Sequence, residues 1–143
     1  MKTVIYLCTF CCTLFVNAQE KEVEINKTPK TITNFVKKHF PNTPIAKVTQ
    51  EETKFGTEYN VTLGNKMELD FDHQNILEDI ESNTKQEIPM SIVPKNVWDY
   101  TKANYLKQQI VGWEKENNKQ RIDLSNGMVL EFNDKGVFLN SSK

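Results

Sequence analysis

The sequence predicts an α+β fold: a tandem repeat of a helix followed by three to four antiparallel strands, with the helices packed on one face of the sheet. Three observations predict it. The phrase NKMELDFD (65–72) returns as NGMVLEFN (126–133), 61 positions on. Upstream, PKTITNFVKKHF (29–40) returns as PKNVWDYTKANY (94–105), 65 positions on. The apolar residues recur at helical spacing in the second pair of phrases and alternate in the first. The change of offset by four fits a longer first hairpin around KFGTE, since insertions collect at loop tips. Two copies at so long a period suit a duplicated unit packed on itself and not a long solenoid.

The chain opens with MKTVIYLCTFCCTLFVNAQE. Lys2 forms a basic start, Val4 to Val16 is an uncharged apolar run, and Val16-Asn17-Ala18 puts small residues where a signal peptidase reads. The run is shorter than the ~20 residues of a membrane span, so residues 1–18 read as a secretory signal cleaved near Ala18-Gln19. Residues 19–143 then form a single domain of two repeats, at about 28–81 and 93–140, in the periplasm or outside the cell. Cys8, Cys11 and Cys12 all fall in the signal. The mature chain therefore has no disulfide framework, thiolate nucleophile or cysteine-ligated metal.

In the first unit Thr28 is expected to cap a helix that begins at Pro29. Ile32, Phe35, Val36, His39 and Phe40 form its apolar stripe, and Pro41 ends it. Strands follow. EYNVTLG alternates Tyr59, Val61 and Leu63 with polar residues, and KMELDFD alternates Met67, Leu69 and Phe71 with acids, so one face is buried and one is wet. GN (64–65) and SNG (125–127) make tight turns, as do DHQN and NDKG, where Asn75 and Gly136 tolerate a left-handed backbone. Residues 82–93 link the units, and Met90, Ile92 and Val93 between Pro89 and Pro94 predict a packed linker. The second helix opens at Pro94 and carries Val97, Tyr100, Thr101, Asn104 and Tyr105 on its stripe.

FVKKHFPNTPIAKV, MELDFDHQN, IPMSIVPKNVWDYTKANY and MVLEFNDKGVFL resemble the PepSY-like proteins of Bacteroidota. These are similar in fold to the beta-lactamase inhibitory protein and carry a tandem PepSY-like repeat. The resemblance runs from about Pro29 to Leu139. It departs at Asn75, where the family usually has glycine, and at Leu106, where the first unit has Pro41. It implies an exported tandem α+β domain whose open sheet face resembles the surface by which the inhibitory protein grips its enzyme. It also brings an association with peptidase inhibition, and it carries no residue roles over.

The chain's own chemistry points away from catalysis. The net charge is −1 with no basic block, which argues against nucleic acid. The mature chain has no further apolar run long enough to span a membrane. His39 and His73 have no nucleophile beside them in sequence, and neither GxSxG nor HExxH occurs. No enzyme activity and no cofactor is expected. Asp70, Asp72, Gln74, Glu78 and Glu81 fall at calcium-loop offsets 1, 3, 5, 9 and 12, but Asn75 replaces the sixth-position glycine and strands flank the loop. Asp70, Asp72, Glu78 and Glu81 are thus the candidate metal ligands of a rival reading, a calcium-binding structural module of the envelope. The reading preferred here is an exported, non-enzymatic module that binds a protein or peptide, with a peptidase or other hydrolase among the candidate partners. Its candidate contacts are Trp98, offset from the buried stripe, and Glu68, Asp70, Arg121 and Glu131 on the wet sheet face. Packing of Trp98 under the linker is the bland alternative.

Overall fold

Residues 20–143 are described by the computed structural model; the expected signal segment 1–18, its three cysteines and the Ala18-Gln19 cleavage site lie outside the described residues. Two ten-residue helices, α1 (Lys30–His39) and α2 (Lys95–Asn104), accompany nine strands. The strands are β1 (Lys21–Glu22), β2 (Ile45–Thr53), β3 (Gly56–Leu63), β4 (Met67–Phe71), β5 (Leu77–Ser82), β6 (Ile110–Glu116), β7 (Lys119–Leu124), β8 (Val129–Asn133) and β9 (Phe138–Ser142). A short 3₁₀ turn (Ile25–Lys27) precedes α1. The strands form one antiparallel sheet in simple sequence order.

This overturns the expected α+β class with its tandem of helix-plus-strand units. Strand accounts for 43% of the structure and the fold is mostly β, built on one continuous sheet. The two halves of the sheet are joined at β5 and β6, which pair directly as Asp79↔Glu114, Ile80↔Trp113 and Glu81↔Gly112. An unpaired edge at β5 would leave a row of backbone donors and acceptors open to chance pairing. The linker returns the chain so that β6 fills that edge.

Alternation decides the two faces. Val61, Leu69, Ile80, Trp113, Ile122 and Leu130 stand in cross-strand register along one face, and each is at most 6% exposed. Ile32, Val36 and Val97 of the helices join the same buried cluster. The contact is aromatic at matched places: Phe35 meets Phe71 edge-on at 5.5 Å, and Tyr100 meets Phe132 edge-on at 5.5 Å. Such pairs add about 0.5–1.5 kcal/mol beyond their burial.

Local chemistry sets the helix ends. Lys37, Lys38 and His39 sit in the last turn of α1, where a positive charge opposes the helix dipole. Thr28 does not cap it, contrary to expectation. Pro29 holds the cap position at φ −50°, and the Thr28 hydroxyl reaches back to the Glu24 carbonyl at 3.5 Å. The proline fixes the helical entry angle by itself. Asn75 and Gly136 have φ of 63° and 75°, the left-handed geometry their turns require. In the linker Ile88 and Val93 are buried, and Met90 is exposed.

Candidate functional site

The face opposite the helices carries a continuous polar row. Register places Glu22, Thr49, Asn60, Asp70, Asp79, Glu114, Arg121, Glu131 and Asn140 side by side across all nine strands. Directly opposed residues of an antiparallel pair have Cβ atoms about 4.5–5.5 Å apart, which puts neighbours in the row within side-chain reach of one another. Arg121 is the single base in the row.

Hydrogen bonds order both flanks. The Asn60 amide donates to Asp70 Oδ1 at 2.6 Å, and the Asn140 amide donates to Glu131 Oε2 at 2.9 Å. Arg121 bridges Glu114 at 3.0 Å and Asp123 at 3.1 Å. Against the cost of its partial burial, Asp123, Glu114 and Asp79 hold its guanidinium charged. Lys119 approaches Glu131 at 3.7 Å.

The middle of the row is under strain. Burial, then the neighbouring Asp70, Glu114 and Glu81, push the Asp79 carboxyl up to about 7, against the pull of Arg121. Three carboxylates stand in direct register there, and like charges directly opposite one another destabilise a sheet. Position 140, which is 61 on from 79, carries asparagine and relieves its neighbour by a hydrogen bond. Sequence reasoning named neither Asp79 nor Glu114. The Asp79–Asn140 mismatch was the available signal, and the β5–β6 pairing that completes the trio was not.

Of the five candidate contacts, Asp70, Arg121 and Glu131 share this row. Glu68 stands on the same face one rung away, opposite Glu81, and accepts from the Asn83 amide at 2.9 Å. Trp98 does not join them. It belongs to α2 on the opposite face, half-buried against the core, with the Lys102 ammonium 5.1 Å from its ring centre.

The candidate metal ligands are dispersed along a hairpin. Asp72 Oδ1 accepts the backbone N–H groups of Gln74 (2.9 Å) and Ile76 (2.7 Å) and so clamps the β4–β5 turn. Asn133, a neutral residue, clamps the β8–β9 turn in the same way through Lys135 (3.0 Å) and Val137 (2.9 Å). Glu78 lies at the bulge, where burial and then Asp72 and Glu58 raise its carboxyl. Among the described residues no group of three or more His, Cys, Asp or Glu side chains is placed to hold an ion.

His39 bonds through Nδ1 to the Ser91 hydroxyl at 2.8 Å, a contact spanning 52 positions that sequence reading could not see. Burial and then Lys38 lower the pKa of His39. No carboxylate among the described residues bonds its other nitrogen. His73 lies in the β4–β5 turn, 6.1 Å from the Phe55 ring.

The family model described as beta-lactamase-inhibitor-like, PepSY-like matches residues 14–79 and 57–140. Three solved structures share the fold. A periplasmic protein of unknown function from Bacteroides vulgatus is 28% identical, with 87% of this chain and 100% of that one covered at TM-score 0.79. A second periplasmic protein from the same organism is 24% identical over 89% and 99%, at TM-score 0.81. A protein from Bacteroides thetaiotaomicron described as a calcium-regulated periplasmic protein is 22% identical over 87% and 97%, at TM-score 0.80. No curated protein matches. No helix among the described residues is long and apolar enough to cross a membrane.

Proposed function

The chain belongs to the PepSY-like, beta-lactamase-inhibitor-like family, and from that premise we propose that it is an exported, non-enzymatic module that binds a protein or peptide through the uncovered face of its sheet. The observation that carries this reading is the nine-strand polar row, acidic and preorganised by Asn60, Arg121 and Asn140. A row fixed by backbone register loses little conformational entropy on binding, which is the cost that limits most interfaces. Periplasmic relatives of the same fold support export. The family description points to a hydrolase as the partner, and the excess of carboxylates suits a surface rich in lysine and arginine.

The test is inhibition. Hydrolysis of a chromogenic beta-lactam by a purified beta-lactamase, and of a fluorogenic peptide by an envelope peptidase preparation, is followed with increasing protein. Inhibition that the double variant Asp70→Lys, Glu131→Lys abolishes supports the reading. If wild type and variant behave alike in both assays, and bind the same envelope proteins equally, the open face is not the binding surface.

A second reading, a calcium-binding module, draws on the description of the Bacteroides thetaiotaomicron protein. It ranks lower because Asp72 is committed to its turn and Asp70 to Asn60. A melting temperature raised by millimolar calcium, and lost in Asp70→Asn, would reverse that order.

A further inference from the structure

The linker in the second half of the chain fills a slot whose counterpart in the first half is open. Ile88 is 1% exposed and donates its N–H to the Ile110 carbonyl at 2.9 Å. Glu87 beside it pairs with Lys102 and accepts the Ile110 N–H at 3.2 Å. The dipeptide Glu87-Ile88 thus satisfies a lysine and both backbone groups of the first β6 residue, and buries an aliphatic side chain in the core.

Sixty-five positions earlier the receiving groups recur. Lys37 stands where Lys102 stands, and Ile45 where Ile110 stands. The strand irregularity is the same, between Ile45 and Lys47 as between Ile110 and Gly112. The anchoring bonds match as well: Gly64 N–H to the Pro44 carbonyl at 2.9 Å, and Ser125 N–H to the Gln109 carbonyl at 3.0 Å. The Ile45 backbone groups therefore face outward as those of Ile110 do. Among the described residues no segment fills it in the same way, and the 3₁₀ turn only borders it through Ile25 and Asn26. Glu22 pairs with Thr49 in the place that Asp79 takes beside Glu114. From Asp79 the chain has room to return to β6 before α2 begins at Lys95; from Glu22 it enters the 3₁₀ turn and starts α1 at Lys30. A cavity of about 560 Å³ remains, lined by Val36, Lys37, Phe40, Pro44 and Ile45. Thr33 lines it too, at the place of the bulky Trp98. The volume lies within the ordinary range for ligand sites. Among the described residues Lys37 pairs with no carboxylate.

We propose that this slot binds an extended peptide in which an acidic residue precedes an aliphatic one, the carboxylate on Lys37 and the Ile45 N–H, and the peptide N–H on the Ile45 carbonyl. The occupant's chemistry is set by the chain's own Glu87-Ile88, which makes those bonds on the matched groups. Short peptides adding to a free strand edge in this way take affinity from backbone bonds and selectivity from the side-chain pocket.

The probe is the linker's own sequence, Lys-Gln-Glu-Ile-Pro-Met, acetylated and amidated and titrated into ¹⁵N-labelled protein. The expected result is a saturable shift of the Lys37, Phe40 and Ile45 amides. Glutamine for the peptide's glutamate, or Lys37→Gln in the protein, weakens binding about tenfold, as loss of a charged hydrogen bond does. Thr33→Trp blocks binding, with an unchanged melting temperature showing that the fold survives. Three results overturn the proposal: no shift at millimolar peptide, equal binding of the glutamine peptide, or shifts confined to Lys102 and Ile110.

Discussion

Replacing Asp79 by asparagine should stabilise this protein at alkaline pH and leave it unchanged in acid. Asp79 stands between Asp70 and Glu114 in direct register, and its carboxyl is raised from 3.8 to about 7 by burial, then by Asp70, Glu114 and Glu81. The folded chain therefore holds this proton more tightly than the unfolded chain. Below pH 4 both states are protonated and the site contributes nothing. As pH rises from 4 to 7 the unfolded state releases the proton first, so stability falls, and above 7 the whole penalty is present. Without solvent screening the interval corresponds to about 4 kcal/mol at 1.36 kcal/mol per pH unit. Asp79 is only half-buried, so water screens its neighbours and the realistic penalty is about 1–2 kcal/mol. The substituted amide carries no charge and can donate to Asp70 as Asn140 donates to Glu131. The expected gain at pH 8 is a melting temperature higher by roughly 3–8 °C for a domain of this size, with the two proteins converging near pH 4. Thermal melts by circular dichroism at half-unit steps from pH 4 to 8 measure it. Parallel melting curves at every pH, or a variant less stable at pH 8, would refute the argument from register.

Asp72→Asn copies the Asn133 clamp and should stay within about 0.5 kcal/mol of wild type, whereas Asp72→Ala frees two backbone N–H groups and should cost about 1–2 kcal/mol in urea unfolding. Asn75→Gly removes a side chain from a left-handed backbone and an Oδ1 with no hydrogen-bond partner, so unfolding should need about 0.5–1 kcal/mol more. Leu130→Ala, at a side chain with 0% exposure, should cost about 2–5 kcal/mol by the same measurement. A smaller loss would mean that the sheet collapses around the cavity.

The parts of the fold that were legible depend on period two. Alternation in MELDF and VLEFN says which side chains leave water, and Met67, Leu69, Phe71, Leu130 and Phe132 are all buried. Turn chemistry was equally readable, because Asn75 and Gly136 need a backbone that few residues tolerate. Alternation names a face and never a neighbour. Nothing in LEDIES or IVGWEKE states that Asp79 will meet Glu114, and their pairing joined the expected units into one mostly β sheet. The two-residue β1 is too short for any period to register. The candidate site is legible to the same degree: alternation puts Asp70, Arg121 and Glu131 on one face, while the offset of Trp98 from its helix stripe names no face of the sheet, and Trp98 lies across the sheet from them.

The ladder between β5 and β6 has a mechanical consequence. It joins the two halves of the sheet by backbone pairing, so the order and spacing of the row from Glu22 to Asn140 follow strand register. A partner docking on the proposed face would have to carry charges already spaced at the interval that the strand register sets.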